Sequence, residues 1–143
     1  MAIRQISVFL ENRAGQLAEI TKILYENDIN LRALNIAETA DYGVLRIITN
    51  HTTLTLDKLK EHGYIASVSE VIGAAVPDEP GGLFKLLDAI AAEGIDVGYM
   101  YSILGHTGDL SYMIFRVGDC QRAEAVLEKH GIPVLDIKGL GIH

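Results

Sequence analysis

A short turn near the N terminus carries residue types from which a small anion-binding site can be built. Residues 11–17, Glu-Asn-Arg-Ala-Gly-Gln-Leu, connect the apolar run 6–10 to a segment whose apolar residues have helical spacing. The first N–H groups of a helix have no intrahelical acceptor, and the helix dipole adds positive potential there. Gly15 leaves these donors uncovered by a side chain, so the turn could bind a carboxylate.

The same pattern returns 66 residues later, where residues 78–83 read Asp-Glu-Pro-Gly-Gly-Leu. The shift aligns Asn12 with Asp78 and Gly15 with Gly81, and a shift of 68 aligns the His-Gly pairs at 62–63 and 130–131. Repeated matches over this length indicate two copies of one structural unit. We therefore predict two domains, residues 1–71 and 72–143, joined without a linker.

Each copy is predicted to contain a strand, a helix, two strands, a second helix and a last strand. Thr55 is expected to cap the second helix of the first copy, and Asp119 that of the second copy. The βαββαβ order predicts an α+β protein of two ferredoxin-like units, each an antiparallel four-stranded sheet with two helices on one face. Side-by-side and face-to-face pairing of the sheets both remain open. The expected strands are 3–10, 30–38, 44–49, 65–71, 72–76, 96–104, 110–117 and 133–138, with helices at 15–26, 55–63, 82–93 and 120–131 and a hairpin at 105–108.

Composition excludes several classes of function. The net charge of −7 and the absence of a Lys/Arg cluster argue against binding to nucleic acid or an anionic membrane. Neither a signal peptide nor an apolar segment of membrane-spanning length is visible, so a cytoplasmic location is expected. Cys120 is the single cysteine, and neither it nor the five histidines forms a catalytic or metal-binding motif. We expect no metal and no cofactor.

The two turns, followed by Asn30-Leu31 and Asp96-Val97, resemble the signature of ACT domains, and the resemblance covers essentially the whole chain. The second turn matches the D/N-x-P-G-x-L pattern fully, whereas the first has Ala14 where proline is usual. Residues 36–46 further resemble a group of short bacterial proteins that consist of two ACT domains without an attached enzyme.

The resemblance implies an amino-acid-binding regulatory protein without catalytic residues, which acts as a homodimer on a metabolic enzyme or another regulator. In such domains the ligand lies between the turn after strand 1 and a facing strand 2 of a neighbouring unit. The turns would bind the ligand carboxylate and ammonium groups, and the facing strand would contact its side chain. The implied ligand-binding residues are Asn12, Arg13, Ala14, Gly15, Gln16, Leu17, Ile36, Asp78, Pro80, Gly81, Gly82, Leu83, Tyr99 and Tyr101.

Other interpretations stay open from the sequence. Asn12 and Asp78 could cap helices, and Tyr99 and Tyr101 could pack in a core or an interface. The whole protein could be a scaffold that acts through a partner without any ligand. An acylphosphatase-like enzyme, which shares the βαββαβ order, would use Arg13, but the wider loop pattern of that family is absent.

Overall fold

The structure is a computed structural model, which describes residues 3–11, 13–38, 41–103 and 108–140. The elements within these ranges are β1 (Ile3–Leu10), α1 (Gln16–Glu26), β2 (Leu31–Glu38), β3 (Gly43–Thr49), α2 (Thr52–Glu61), β4 (Ala66–Pro77), α3 (Gly82–Ala92), β5 (Tyr99–Ser102), β6 (Leu110–Arg116) and α4 (Cys120–Lys129). The predicted order of elements is confirmed, but two predicted strands are merged, the strand predicted at 96–104 is observed as the shorter β5, and the last predicted strand is reduced to a bridge. Of the predicted hairpin at 105–108, residues 105–107 lie outside the described ranges.

The chain forms two compact units. The N-terminal unit contains Arg4–Ser69, and the C-terminal unit contains Glu70–Leu140 together with Ile3. The two strands that were predicted at residues 65–71 and 72–76 form a single strand, β4, whose residues are divided between the units. The domain boundary after residue 71 therefore stays a prediction.

The N-terminal unit has the expected ferredoxin-like arrangement. Its strands lie in the order β2-β3-β1-β4, with β3 antiparallel to both of its neighbours, and α1 packs against α2. Alternate residues of β1 and β3, such as Val8 opposite Leu45, point to one face and are buried against Ile20, Ile23 and Leu59 of the helices. This apolar layer fixes the position of the turn between β1 and α1.

The C-terminal unit repeats this design with a shorter last strand. Its strands lie in the order β4-β6-β5, and α3 packs against α4 over a core that includes Phe115 and Leu86. The strand predicted at 133–138 is reduced to a bridge between Ala74 and Val134. Pairing stops because the chain turns at Asp136, whose carboxylate accepts a hydrogen bond from the N–H of Gly139 at 2.5 Å.

The second helix of each unit begins in a different way. Asp119 accepts a hydrogen bond from the N–H of Arg122 at 3.1 Å, so its predicted role as the N-cap of α4 is confirmed. The predicted cap at Thr55 is wrong, because α2 begins at Thr52. The Thr55 hydroxyl instead donates to the carbonyl of His51 at 2.7 Å and lies 2.8 Å from the buried hydroxyl of Thr49.

Tyr64 brings a polar group into the N-terminal core. Its ring packs with the core residues, and its hydroxyl makes no hydrogen bond of ordinary geometry with a described residue. Burial raises the pKa of Tyr64 above its usual value of 10.0, the nearby Glu19 carboxylate raises it further, and Arg13 opposes the shift. The phenol therefore stays neutral in the folded protein to a higher pH than in the unfolded chain.

The cap at Asp119 predicts a measurable difference between two aspartates. Asp119→Ala should lower the free energy of unfolding by about 1 kcal/mol, because it removes an N-cap hydrogen bond. Asp78→Ala should change it by less than about 0.5 kcal/mol, because Gly81 occupies the N-cap position of α3 and no side-chain cap is formed there. Urea unfolding of the two variants measures both effects. Equal losses would contradict the assignment of the caps.

Tyr64 predicts a specific alkaline loss of stability. Above about pH 10 the unfolded phenol ionises while the folded one keeps its proton, so the free energy of unfolding should fall with rising pH. Tyr64→Phe should reduce this fall and should be neutral or stabilising at pH 7, because a buried hydroxyl without a partner costs about 1–3 kcal/mol. Urea unfolding between pH 7 and 11 tests this, with exposed Tyr25→Phe as the control. Parallel curves for wild type and Tyr64→Phe would refute it.

Candidate functional site

The two turns in front of α1 and α3 have the same backbone conformation. Gly15 has φ 84° and ψ −2°, and Gly81 has φ 91° and ψ −11°. Residues with a Cβ rarely adopt this left-handed region, so the glycine is required by the turn. A Cβ at either position would meet no heavy atom within 4 Å, which shows that the space in front of each helix is open.

The first turn presents free donors and balanced charges. The first hydrogen bond of α1 runs from the N–H of Glu19 to the carbonyl of Gly15, at 3.0 Å. The three preceding N–H groups, at residues 16–18, therefore lack an intrahelical acceptor, and no described side chain caps them. Arg13 lies 3.7 Å from the carboxylate of Glu11 and 3.6 Å from that of Glu19, all of them exposed.

The second turn is held by more backbone hydrogen bonds. The N–H of Asp78 donates to the carbonyl of Asp109 at 2.7 Å, and that of Gly82 donates to Glu79 at 3.1 Å. The donors left without an acceptor in the described part of the chain are the N–H groups of Leu83 and Phe84. The Asp78 side chain is exposed and does not cap α3, so it is available to a cationic group in front of the helix.

Cavities lie next to both turns. A cavity of about 480 Å³ at the first turn is lined by Leu10, Glu11, Arg13, Ala14, Gly15, Gln16, Leu17 and Ala18. A smaller one of about 80 Å³ lies beside it and is lined by Phe9, Glu11, Arg13, Gln16, His62, Gly63, Tyr64 and Ile65. A cavity of about 740 Å³ begins at Pro77 and Gly82 of the second turn and runs along α3. Its far end is lined by Lys129, the last residue of α4, and by residues 130–133.

The structure groups some of the predicted site residues and separates others. The cavity at the first turn is lined by five of the predicted residues, Arg13, Ala14, Gly15, Gln16 and Leu17. The large cavity is lined by one predicted residue of the second turn, Gly82. Asn12 lies outside the described residues. The remaining predicted residues, Asp78, Pro80, Gly81 and Leu83, belong to the second turn itself.

The strand residues predicted to face a ligand do not line these cavities. Ile36 lies opposite Leu45 and is exposed at the end of β2. Tyr99 and Tyr101 lie on the face of β5 away from the helices, since Met100 between them packs on the helix-side core. Their rings stack with centroids 6.4 Å apart. A ligand contact for these three residues stays a prediction.

The large cavity contains residues that the sequence analysis did not select. They include the α3 residues Lys85, Asp88, Ala89 and Ala92 and the residues Ile132 and Pro133 after α4. Comparison of the two copies position by position would have drawn attention to three of them, because Ala89, Ala92 and Ile132 stand where the first copy has the larger Ile23, Glu26 and Tyr64.

The described residues show no further centre of chemistry. Burial raises the pKa of the Cys120 thiol, and the carboxylate of Glu70 raises it further, so the thiol form is favoured. No group of three or more His, Cys, Asp or Glu residues could hold a metal ion within the described ranges. None of the helices described combines the length and the hydrophobicity that crossing a bilayer requires.

Known proteins provide an independent comparison. A family model described as the ACT domain pair matches residues 1–140. The chain is 34% identical to protein BT0572 from Bacteroides thetaiotaomicron, covering 99% of this chain and 96% of that chain with a TM-score of 0.91. The fold is also similar to that of the regulatory subunit of aspartate kinase from Thermus thermophilus in its ligand-free form. That match has 16% identity, 90% coverage of each chain and a TM-score of 0.68.

The regulatory subunit of aspartate kinase from Thermus flavus has the same fold, with 15% identity, coverage of 87% of this chain and 88% of that chain, and a TM-score of 0.64. No curated protein sequence matches. The βαββαβ repeat, the paired glycine turns and the match over nearly the full length agree with one another. The chain therefore belongs to the family of ACT domain pairs.

Proposed function

We propose that this ACT domain pair is an amino-acid-binding regulatory protein whose β–α turns bind the main-chain groups of the ligand. The observation that carries the proposal is the repeated turn: Gly15 and Gly81 leave the helix donors behind them uncapped and the space before them open. Such donors favour a carboxylate, because the N–H groups and the helix dipole act on the same charge.

The ammonium group of an amino acid also finds complementary groups at each turn. Asp78 presents an exposed carboxylate at the second turn, and Glu11 and Glu19 flank the first. Arg13 adds a cation for the ligand carboxylate at the first turn only, since Glu79 occupies the aligned position. A zwitterion therefore suits both turns better than a simple anion does.

Regulation would follow from ligand-dependent assembly or from a changed surface that a partner recognises. We expect a homodimer, and a metabolic enzyme or another regulator as the partner. We expect no catalysis, since the wider loop pattern of acylphosphatases is absent around Arg13. The cytoplasmic location and the facing strand of a neighbouring unit stay predictions.

A ligand-independent scaffold is the second candidate, and an exposed apolar surface favours it. Phe9 and Tyr42 of the N-terminal unit stack with ring centroids 5.1 Å apart, and both are exposed. Leu34 and Ile36 of β2 are exposed as well. By the strand register, Leu34 and Ile36 share the face of Ile47 and Leu45, whereas Phe9 points to the opposite face. Each exposed apolar pair could contact a partner without any amino acid.

A thermal-shift panel of the twenty amino acids separates the two candidates. A ligand that binds only the folded state must stabilise it, by about 2.7 kcal/mol at a hundred times its Kd. We expect a midpoint that rises with concentration for one chemical class of amino acid and not for the rest. No shift at millimolar concentrations of any amino acid would reject the sensor and favour the scaffold.

Substitution of the turn glycines tests the position of the site. Asn tolerates the left-handed conformation, so Gly15→Asn and Gly81→Asn should fold with a cost of about 1 kcal/mol while placing a side chain where the ligand must approach. At least one of them should weaken amino-acid binding about tenfold or more in calorimetry.

Gly94→Asn is the matched control, because Gly94 has φ 72° and its Cβ would also meet no atom within 4 Å, but it follows α3 instead of preceding it. Its affinity for the amino acid should equal that of the wild type. Wild-type affinity in both folded turn variants would show that neither turn contacts the ligand.

A further inference from the structure

We infer that the C-terminal turn binds an amino acid with a large apolar side chain, which enters the cavity beside α3. The inference rests on the proposed function, since it names the ligand class of the second turn. It also predicts that the two turns differ in specificity, although Gly15 and Gly81 have the same backbone conformation.

The cavity begins at the turn and has the size and lining of a ligand site. Pro77 and Gly82 belong both to the turn and to the cavity wall, and the volume of about 740 Å³ lies within the range of small-molecule sites. Its walls are mainly apolar and include Val76, Ala89 and Ile132. A ligand whose main chain is held at the turn can therefore place an apolar side chain along α3.

Lys85 on the cavity wall complements the carboxylate of the ligand. Lys85 and Asp88 are exposed, three residues apart on α3, and form no ion pair within the described residues. Lys85 follows Leu83 and Phe84, whose N–H groups are free, and adds a cation for the carboxylate. The partner of the ammonium group is Asp78 at the turn. The second cation, Lys129, lies 4.0 Å from Glu93.

The N-terminal unit has filled the corresponding space. The repeat alignment places Gln16, Ile23 and Tyr64 where the C-terminal unit has Gly82, Ala89 and Ile132. Each replacement in the C-terminal unit removes side-chain volume or a polar group. The cavity at this position of the N-terminal unit accordingly measures only about 80 Å³.

The small cavity is also polar. Gln16 and Tyr64 are 5% and 8% exposed, and the amide oxygen and the hydroxyl that they bring to it have no hydrogen-bond partner among the described residues. An apolar group placed there would leave both atoms unsatisfied, whereas a water molecule or a small polar group would satisfy them. The small cavity therefore does not suit a large apolar side chain, whereas the cavity beside α3 does.

Isothermal titration calorimetry of the full chain with L-leucine, L-phenylalanine and glycine tests the inference. Ala92→Phe fills the cavity from an exposed position of α3, so it should fold. Glu26→Phe places the same side chain at the aligned, exposed position of α1 and is the matched control. Ala89→Ile, which introduces the residue of the N-terminal unit, is a second and smaller filling variant.

Wild type should bind leucine or phenylalanine about tenfold or more tightly than glycine, with one such site per chain. Ala92→Phe should remove most of that preference, Ala89→Ile should reduce it, and Glu26→Phe should leave it unchanged. Lys85→Gln should weaken the binding of the same amino acid severalfold.

Four results would overturn the inference. The cavity is not the side-chain site if glycine binds as tightly as leucine and phenylalanine. The same conclusion follows if Ala92→Phe leaves the preference intact while Gly81→Asn abolishes binding. In both cases the proposed function survives. If Ala92→Phe changes the oligomeric state but not the preference, a second copy covers the cavity. If no amino acid binds at all, the proposed function fails together with the inference.

Discussion

The left-handed glycine at the start of α1 and of α3 is the constraint on which the proposed site depends. At φ 84° and 91° the chain passes from a strand into a helix within a few residues, and no side chain of the described residues caps the first helix donors. Asp119 shows the alternative, since its carboxylate caps α4. A capped helix needs no ligand at its N terminus, whereas an uncapped one has donors that water or a ligand must satisfy.

The two copies share their backbone but not their interior next to the turn. Side-chain packing decides this difference. The space behind the turn is filled by a few residues of the first helix and of the segment that follows the second helix. Gln16, Ile23 and Tyr64 fill the space in one copy, and Ala89 and Ile132 leave it open in the other, where a Cβ at Gly82 would instead collide with the carbonyl of Pro77. The proposed difference in specificity between the two turns would thus arise from side-chain volume without any change of fold.

Buried polar groups mark the places where the N-terminal unit departs from simple packing. The amide oxygen of Gln16 and the hydroxyl of Tyr64 are both buried beside the first turn. Such groups lower stability unless a partner reaches them. Their position next to Arg13 and Glu11 keeps the surroundings polar, which is consistent with a role for water or a small polar group there.

The sequence by itself determined the repeat, the order of elements and the two glycine turns. These features depend on local properties, such as apolar periodicity and the φ angle at Gly15 and Gly81, that can be read from residue types. Tertiary structure alone decided that Thr55 lies inside α2, that the last strand stops at Asp136, and that a cavity opens beside Ala89. These features depend on which side chains meet across elements and on how much volume they leave, and single-segment patterns do not contain that information.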